Sequence, residues 1–205
     1  MNVVFDFGGV LFDWQPRRLV REVLPRHAPD DASASRLVER FFEGFEGDWA
    51  AFDSGHTESG PLAERIARRI GLAAEEAAAV IDAVPHALRP VPSMENLVER
   101  LVDAGHAVYF LSNMPAPYAA YLEHRHAVIR RFRDGVFSGR VGLIKPDPAI
   151  YALAAQRFGI VGDPAVFIDD LRRNVDAARA QGWQGLHFVG ADACERELVA
   201  LGLVD

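Results

Sequence analysis

A chain of 205 residues, half of them hydrophobic, can build one sizeable domain, or one domain carrying an insertion, around a substantial core. Its net charge of −7 excludes a generally basic nucleic-acid surface but leaves room for a local site that takes a small anion. The single Cys194 excludes an internal disulfide, no apolar run nears the roughly 20 residues that span a bilayer, and no basic leader precedes VVFDF, so a cytoplasmic protein with neither membrane nor nucleic-acid partners is expected.

The first apolar run, VVF at 3–5, ends on Asp6 and two glycines. Residues 14–88 then contain no convincing strand. ASRLVERFFEGF, PLAERIARRIG and EEAAAVIDAV follow helical spacing, separated by the breakers HAPDD and DSGH. From residue 89 the rhythm changes. SMENLVERLVDAG reads as a helix capped by Ser93 and stopped by Gly105, and AVYFLSN (107–113) as a strand. DPAIYALAAQRFG is a helix with Asp147 as cap, Pro148 in the first turn and Gly159 at its end. AVFIDD (165–170), RRNVDAARAQG and GLHFV (185–189) continue as strand, helix, strand. Short, continuously apolar strands alternating with helices predict an α/β fold with a doubly wound, Rossmann-like parallel sheet. The inserted all-helical block would sit above the carboxyl edge of that sheet, where open α/β folds bind ligands. The expected division is a core of 1–13 and 89–205 and a helical cap of 14–88. RRFRDG (130–135) and the Arg172–Arg173 pair read as solvated basic faces.

The strand ends carry the chemistry. Asp6 ends the first, Ser112 and Asn113 the second, Asp169 and Asp170 the third, and Lys145 lies in GLIKPDP between the second and third. In a parallel sheet with right-handed crossovers these ends converge on one edge. A lone Asp after a strand marks an ordinary turn or cap; three carboxylates, a hydroxyl and an ammonium on one edge mark a site.

With FDFGGVLFD, LSN, IKPDP and FIDD in this order, the chain resembles, over essentially its whole length, the haloacid dehalogenase superfamily, in the phosphatase branch with a helical cap after the first strand. DFGGVL and KPDPAIY bring it nearest to the group that includes sugar-phosphate phosphatases. The resemblance implies a Mg²⁺-dependent phosphatase acting on a small phosphorylated metabolite, with Asp6 as the nucleophile that forms an aspartyl-phosphate. It implies catalytic roles for Ser112 and Lys145, and contacts to the phosphoryl oxygens from Ser112, Asn113, Lys145 and the backbone at Gly8 and Gly9. It also implies a Mg²⁺ held by Asp6, the Gly8 carbonyl and Asp170, with Asp169 as a neighbouring or water-bridged acid. A hard, oxygen-seeking cation suits this donor set and offsets the repulsion between a carboxylate nucleophile and a phosphate dianion.

One position departs from the pattern. Most phosphatases of the superfamily carry a second Asp two residues after the nucleophile, which protonates the leaving group and then activates water; here that residue is Gly8. General acid–base help is worth ~10²–10⁴-fold in rate. Three explanations are open: a leaving group that needs little protonation, a cap residue or water in the role, or slow turnover. Asp13 and His56 are candidates without further support. In the cap, Trp14, Arg17 and Trp49 are candidate specificity residues, and Phe42, Phe45 and Phe52 read as cap core. Two other readings are a metal-independent 2-haloacid dehalogenase using Asp6, against which the acid pair Asp169–Asp170 weighs, and a non-catalytic binding or regulatory module, against which the retained Asp6 and Lys145 weigh.

Overall fold

The structure is a computed structural model that describes all 205 residues, Phe45 through its backbone alone. Seven strands are present: β1 (Asn2–Phe5), β2 (Phe12–Asp13), β3 (Arg89–Pro90), β4 (Ala107–Ser112), β5 (Asp134–Phe137), β6 (Ala165–Asp169) and β7 (Gln184–His187). Five form one parallel sheet in the order β5-β4-β1-β6-β7. β1 is central, and its side chains alternate between two cores. Val3 and Phe5 join the larger one, and Val4 joins a second built with Ile150, Tyr151 and Phe167. Burial on both faces explains why these strands read as unbroken apolar runs.

The helices of the core are α6 (Pro92–Asp103), α7 (Ala116–Arg125), α8 (Pro148–Phe158), α9 (Arg172–Ala180) and α10 (Ala191–Ala200), after α1 to α5 of the insertion. The Asp147 side chain accepts from the Ala149 N–H, Pro148 follows, and Gly159 closes α8 in the left-handed region, as the sequence predicts. Ser93 is not a cap: α6 starts one residue earlier, at Pro92, with Val91 before it and no side-chain cap bond. β5 is not legible in the sequence. Its Asp-Gly start reads as a turn, and the strand exists because it pairs with β4, with Gly135 opposite Phe110. Within RRFRDG, Phe132 is buried in the main core, so that stretch is not a uniformly solvated face.

The insertion holds α1 (Pro16–Val23), α2 (Asp31–Phe42), α3 (Gly47–Asp53), α4 (Ser59–Ile70) and α5 (Ala74–Ala87). Its buried side chains are continuous with the larger core of the sheet. The chain enters and leaves it through β2 and β3, an antiparallel pair with Phe12 opposite Pro90 and Asp13 opposite Arg89. No helix among the described residues is long and apolar enough to cross a membrane.

Candidate active site

β1 delivers Asp6 to the carboxyl edge of the sheet. The Asp6 N–H donates to the Ile168 carbonyl at 2.9 Å, extending the β1–β6 ladder by one residue. The chain then turns tightly: the Phe12 N–H donates to the Phe7 carbonyl at 2.7 Å and the Gly9 N–H to the Phe12 carbonyl at 2.8 Å. Only Gly9 is obliged to be glycine here. Its φ is +80°, and a Cβ on it would lie 2.6 Å from Asp170 Oδ2. A Cβ on Gly8 would meet nothing within 4 Å.

Lys145, fully buried, ties the strand ends together. Its Nζ lies 2.9 Å from Asp6 Oδ1 and 2.6 Å from Asp169 Oδ2. Asn113 fixes it from the backbone: the Asn113 Nδ2 donates to the Lys145 carbonyl and its Oδ1 accepts from the Lys145 N–H, at 3.0 and 2.8 Å. The Asn113 amide thus positions Lys145 through its oxygen and one of its two N–H groups, and the side chain also lines the cavity described below. Burial acts to discharge Lys145, but Asp169 and Asp6 beside it prevail and hold the ammonium above its ordinary range.

Asp169 is fully buried and saturated: Oδ1 accepts from the Leu171 N–H at 2.8 Å, Oδ2 from Lys145, and Asn174 Nδ2 reaches both oxygens at 3.0 Å. Among the described residues no neighbouring side chain donates to Asp170, and burial, together with the adjacent Asp169, pushes its carboxyl up to about 6. Burial also raises Asp6, to about 7, against the pull of Lys145 and with Asp169 and Asp170 adding to it. Oxygens of Asp6, Asp169 and Asp170 all lie within 4.8 Å of one another. In the same wall, the buried Asn174 Oδ1 has no hydrogen-bond partner among the described residues. Acids held this close, one of them short of donors, beside an orphaned amide oxygen, are an oxygen donor set that fits a hard divalent cation.

Above this cluster lies a cavity of roughly 730 Å³ counted out to its mouth. Asp6, Gly8, Lys145, Asp170 and Asn113 form its floor; Trp14, Trp49, Val84, Leu88, Met114, Pro115 and Tyr118 supply an apolar wall. The Tyr118 hydroxyl donates its proton to the Ile81 carbonyl at 2.5 Å, so it adds no free donor to the wall. Trp14 and Trp49, candidate specificity residues, both line this cavity. Arg17 does not: it is exposed on α1 and lines a separate surface hollow with Gln15, Arg18 and Arg21. Ser112 is buried at the end of β4 and is absent from the cavity lining. Asp13 is exposed and accepts from Gln15, and His56 is paired with Ser54; neither reaches the cavity.

A sequence profile of the haloacid dehalogenase-like hydrolases matches residues 1–182. The chain belongs to the haloacid dehalogenase-like hydrolases. This hydrolase is 31% identical over 196 residues to the sesquiterpene phosphatase astK of Aspergillus oryzae, covering 95% of the chain and 93% of that relative. A haloacid dehalogenase family enzyme of Bacteroides thetaiotaomicron, solved in complex with magnesium and inorganic phosphate, shares its fold with a TM-score of 0.70 and 19% identity, over 91% of the hydrolase and 92% of that structure. The L-2-haloacid dehalogenase of Xanthobacter autotrophicus with chloropropionic acid covalently bound also gives a TM-score of 0.70 at 19% identity, over 100% and 84% of the two chains. At these identities both structures speak to the fold alone.

Two charged residues of the hydrolase's cavity escape a reading of the sequence. Arg173, which reads as part of a solvated pair, lines the cavity and donates to the Gly44 carbonyl at 3.0 Å, joining α9 to the turn after α2. Asp53 lies in the stretch DSGH, which reads as a breaker, yet it is the last residue of α3 and is 6% exposed. The available signal is spacing: Trp49, Phe52 and Asp53 at i, i+3 and i+4 put a carboxyl on the apolar face of a helix.

Burial first, and the charge of Asp6 second, push the Asp53 carboxyl from its ordinary 3.8 up to about 8, with Lys145 opposing. The folded state therefore keeps a proton that the unfolded chain has lost, and Asp53 makes stability fall as pH climbs from about 4 to about 8. Asp53→Asn is expected to melt above the native protein near pH ~9, by an amount worth on the order of a few kcal/mol. That advantage should shrink as the pH is lowered toward ~4. Thermal melts of both proteins in EDTA across this range check it; a variant that melts below the native protein at the alkaline end would mean the native carboxylate is favourably paired.

Proposed function

We propose that this hydrolase is a Mg²⁺-dependent phosphomonoesterase that forms an aspartyl-phosphate on Asp6 and whose substrate is the phosphate of an apolar alcohol. The observation that carries the reading is the cavity: a cation-binding acid cluster and a lysine-paired Asp6 at its floor, and an indole-lined apolar wall above. A sugar would bring hydroxyls into a wall that offers them few partners, at a cost in desolvation. The apolar lining thus favours a hydrocarbon alcohol over the sugar phosphate suggested by sequence. The likeness to a sesquiterpene phosphatase points the same way.

Asp6, the Gly8 carbonyl and Asp170 would hold the cation, with Asp169 and Asn174 behind them. When bound, Mg²⁺ supplies positive charge that neutralises the phosphate and the acids around it. Asp6 Oδ2 is the nucleophilic atom, because Oδ1 is engaged by the Phe7 N–H at 2.7 Å and by Lys145. Lys145 holds the carboxylate in place and offsets its charge as the phosphoryl group approaches. The apolar wall excludes bulk water from the alcohol side. The residues 14–88 act as the cap that selects the substrate.

The test is phosphate release from alkyl and isoprenoid monophosphates, sugar phosphates (anomeric ones included) and acyl phosphates, with Mg²⁺ and with EDTA. Mg²⁺-dependent release with kcat/KM highest for the apolar alcohols is expected. A preference for sugar phosphates would overturn the substrate class. Absence of phosphate release, with metal-free halide release from a 2-haloacid, would overturn the reaction.

A further inference from the structure

The phosphate of an alkyl alcohol poses a problem that the floor of the cavity does not solve. Its leaving group is an alkoxide, which must gain a proton as the P–O bond breaks. Asp6 is the nucleophile, Lys145 is bonded to two carboxylates, and Asp170 belongs to the acid cluster. Gly8 has no proton to give, and the space a side chain would occupy there is open.

Asp53 is the remaining carboxyl in the cavity wall. It comes from the insertion, among the apolar side chains, while the nucleophile comes from the sheet. Its side chain accepts no hydrogen bond from any described residue. It is nevertheless held firmly. The buried Ser138 Oγ donates to the Asp53 carbonyl at 2.5 Å and accepts from the Met114 N–H at 2.8 Å. Two residues on, Gly55 packs so closely on the core that a Cβ would lie 2.6 Å from the Gly139 carbonyl oxygen. The end of α3 is thus bolted to the core, so Asp53 sits in a fixed place in the wall although it belongs to the insertion. Its burial keeps it protonated at neutral pH, the state a proton donor needs. An acid that costs stability, has no structural partner and lines the reaction cavity is best explained by chemistry.

We propose that Asp53 is the catalytic acid and base of this hydrolase, delivering from the helical insertion the proton that Gly8 cannot. In the first half-reaction Asp6 Oδ2 bonds to phosphorus, the bond from phosphorus to the alcohol oxygen breaks, and the Asp53 proton passes to that oxygen. The alcohol leaves neutral and Asp53 is left as a carboxylate. In the second, a water attacks the phosphorus of the aspartyl-phosphate, its proton returns to Asp53, and inorganic phosphate leaves with Asp6 restored as a carboxylate. One water is consumed and no other reactant is needed.

This inference rests on the phosphatase reading, and the test separates the two. Wild type and Asp53→Asn are compared on hexyl phosphate, whose leaving group needs a proton, and on 4-nitrophenyl phosphate, whose leaving group does not. Loss of kcat/KM of ~10²-fold or more on the hexyl ester is expected, against less than about tenfold on the aryl ester. A burst of nitrophenolate matching the enzyme concentration should also appear in the variant, because the phosphoenzyme would wait for its base. Equal loss on both esters, in a variant shown to be folded by its melt, would overturn the assignment and leave the phosphatase reading standing. Should Asp53→Asn not fold, Asp53→Ala answers the same comparison. A wild type that hydrolyses neither ester with Mg²⁺ would overturn both.

Discussion

Asp6→Asn is expected to abolish phosphatase turnover, by ~10⁴-fold or more, while leaving a folded protein. The amide is nearly the same size and its oxygen can still accept from the Phe7 N–H, which approaches to 2.7 Å in the native protein. It cannot attack phosphorus. Fold loss is not expected, because β1 is secured by pairing on both sides and Lys145 keeps Asp169 as a partner. The carboxyl of Asp6 is itself pushed up to about 7, chiefly by burial, so its charge is no asset to stability. Turnover and a thermal melt of the purified variant settle the matter together. Residual hydrolysis at a native rate, with deamidation excluded by mass, would remove Asp6 from the role of nucleophile.

Lys145→Met should be costly in both respects. The native ammonium is wholly buried and sits beside two carboxylates, at 2.9 and 2.6 Å. Removing one member of such a group leaves uncompensated buried charge and typically costs about 3–5 kcal/mol. The sign of its pH dependence follows. Without Lys145 the acids hold protons more tightly in the folded state than in the unfolded one. The variant's deficit should therefore be widest at alkaline pH and narrow as the acids are protonated on acidification. Turnover should fall with it, since Asp6 loses both its charge partner and its fixed orientation. Denaturant melts at about pH 5 and about pH 8 measure the stability part. A variant as stable as the native protein at the higher pH would show that Lys145 contributes little beyond its desolvation cost.

What the sequence reveals follows from where each signal resides. β1, β4 and β6 are buried on both faces, so their composition alone announces them, and the groups that end them, Asp6, Asn113 and Asp169, meet on one edge as parallel topology requires. Both ends of α8 are readable because Asp147 and Gly159 act through local bonds and local backbone geometry. β5 is hidden because its identity lies in its pairing with β4. The hold of Asn113 on Lys145 is not readable, because residue type says nothing of which backbone groups an amide will meet. Arg17 and Asp53 trade places for a related reason. Proximity in sequence to the Asp6 turn suggests Arg17, which the turn of α1 carries outward, while Asp53, distant from Asp6 along the chain, returns to it through the packing of α3 on Ser138.

The pairing of β2 with β3 also bears on how such a protein can change over time. Because Phe12 lies opposite Pro90 and Asp13 opposite Arg89, the segment between them begins and ends at neighbouring points, like the two legs of a staple. Neither the ladder of β1 with β4 nor that with β6 includes any residue between 14 and 88. Asp6, Lys145 and the acid cluster lie outside this segment, while Trp14, Trp49, Val84, Leu88 and Asp53 of the cavity lining lie within it. On the function proposed above, an exchange of that one stretch would change the lining of the cavity and leave the groups at its floor in place.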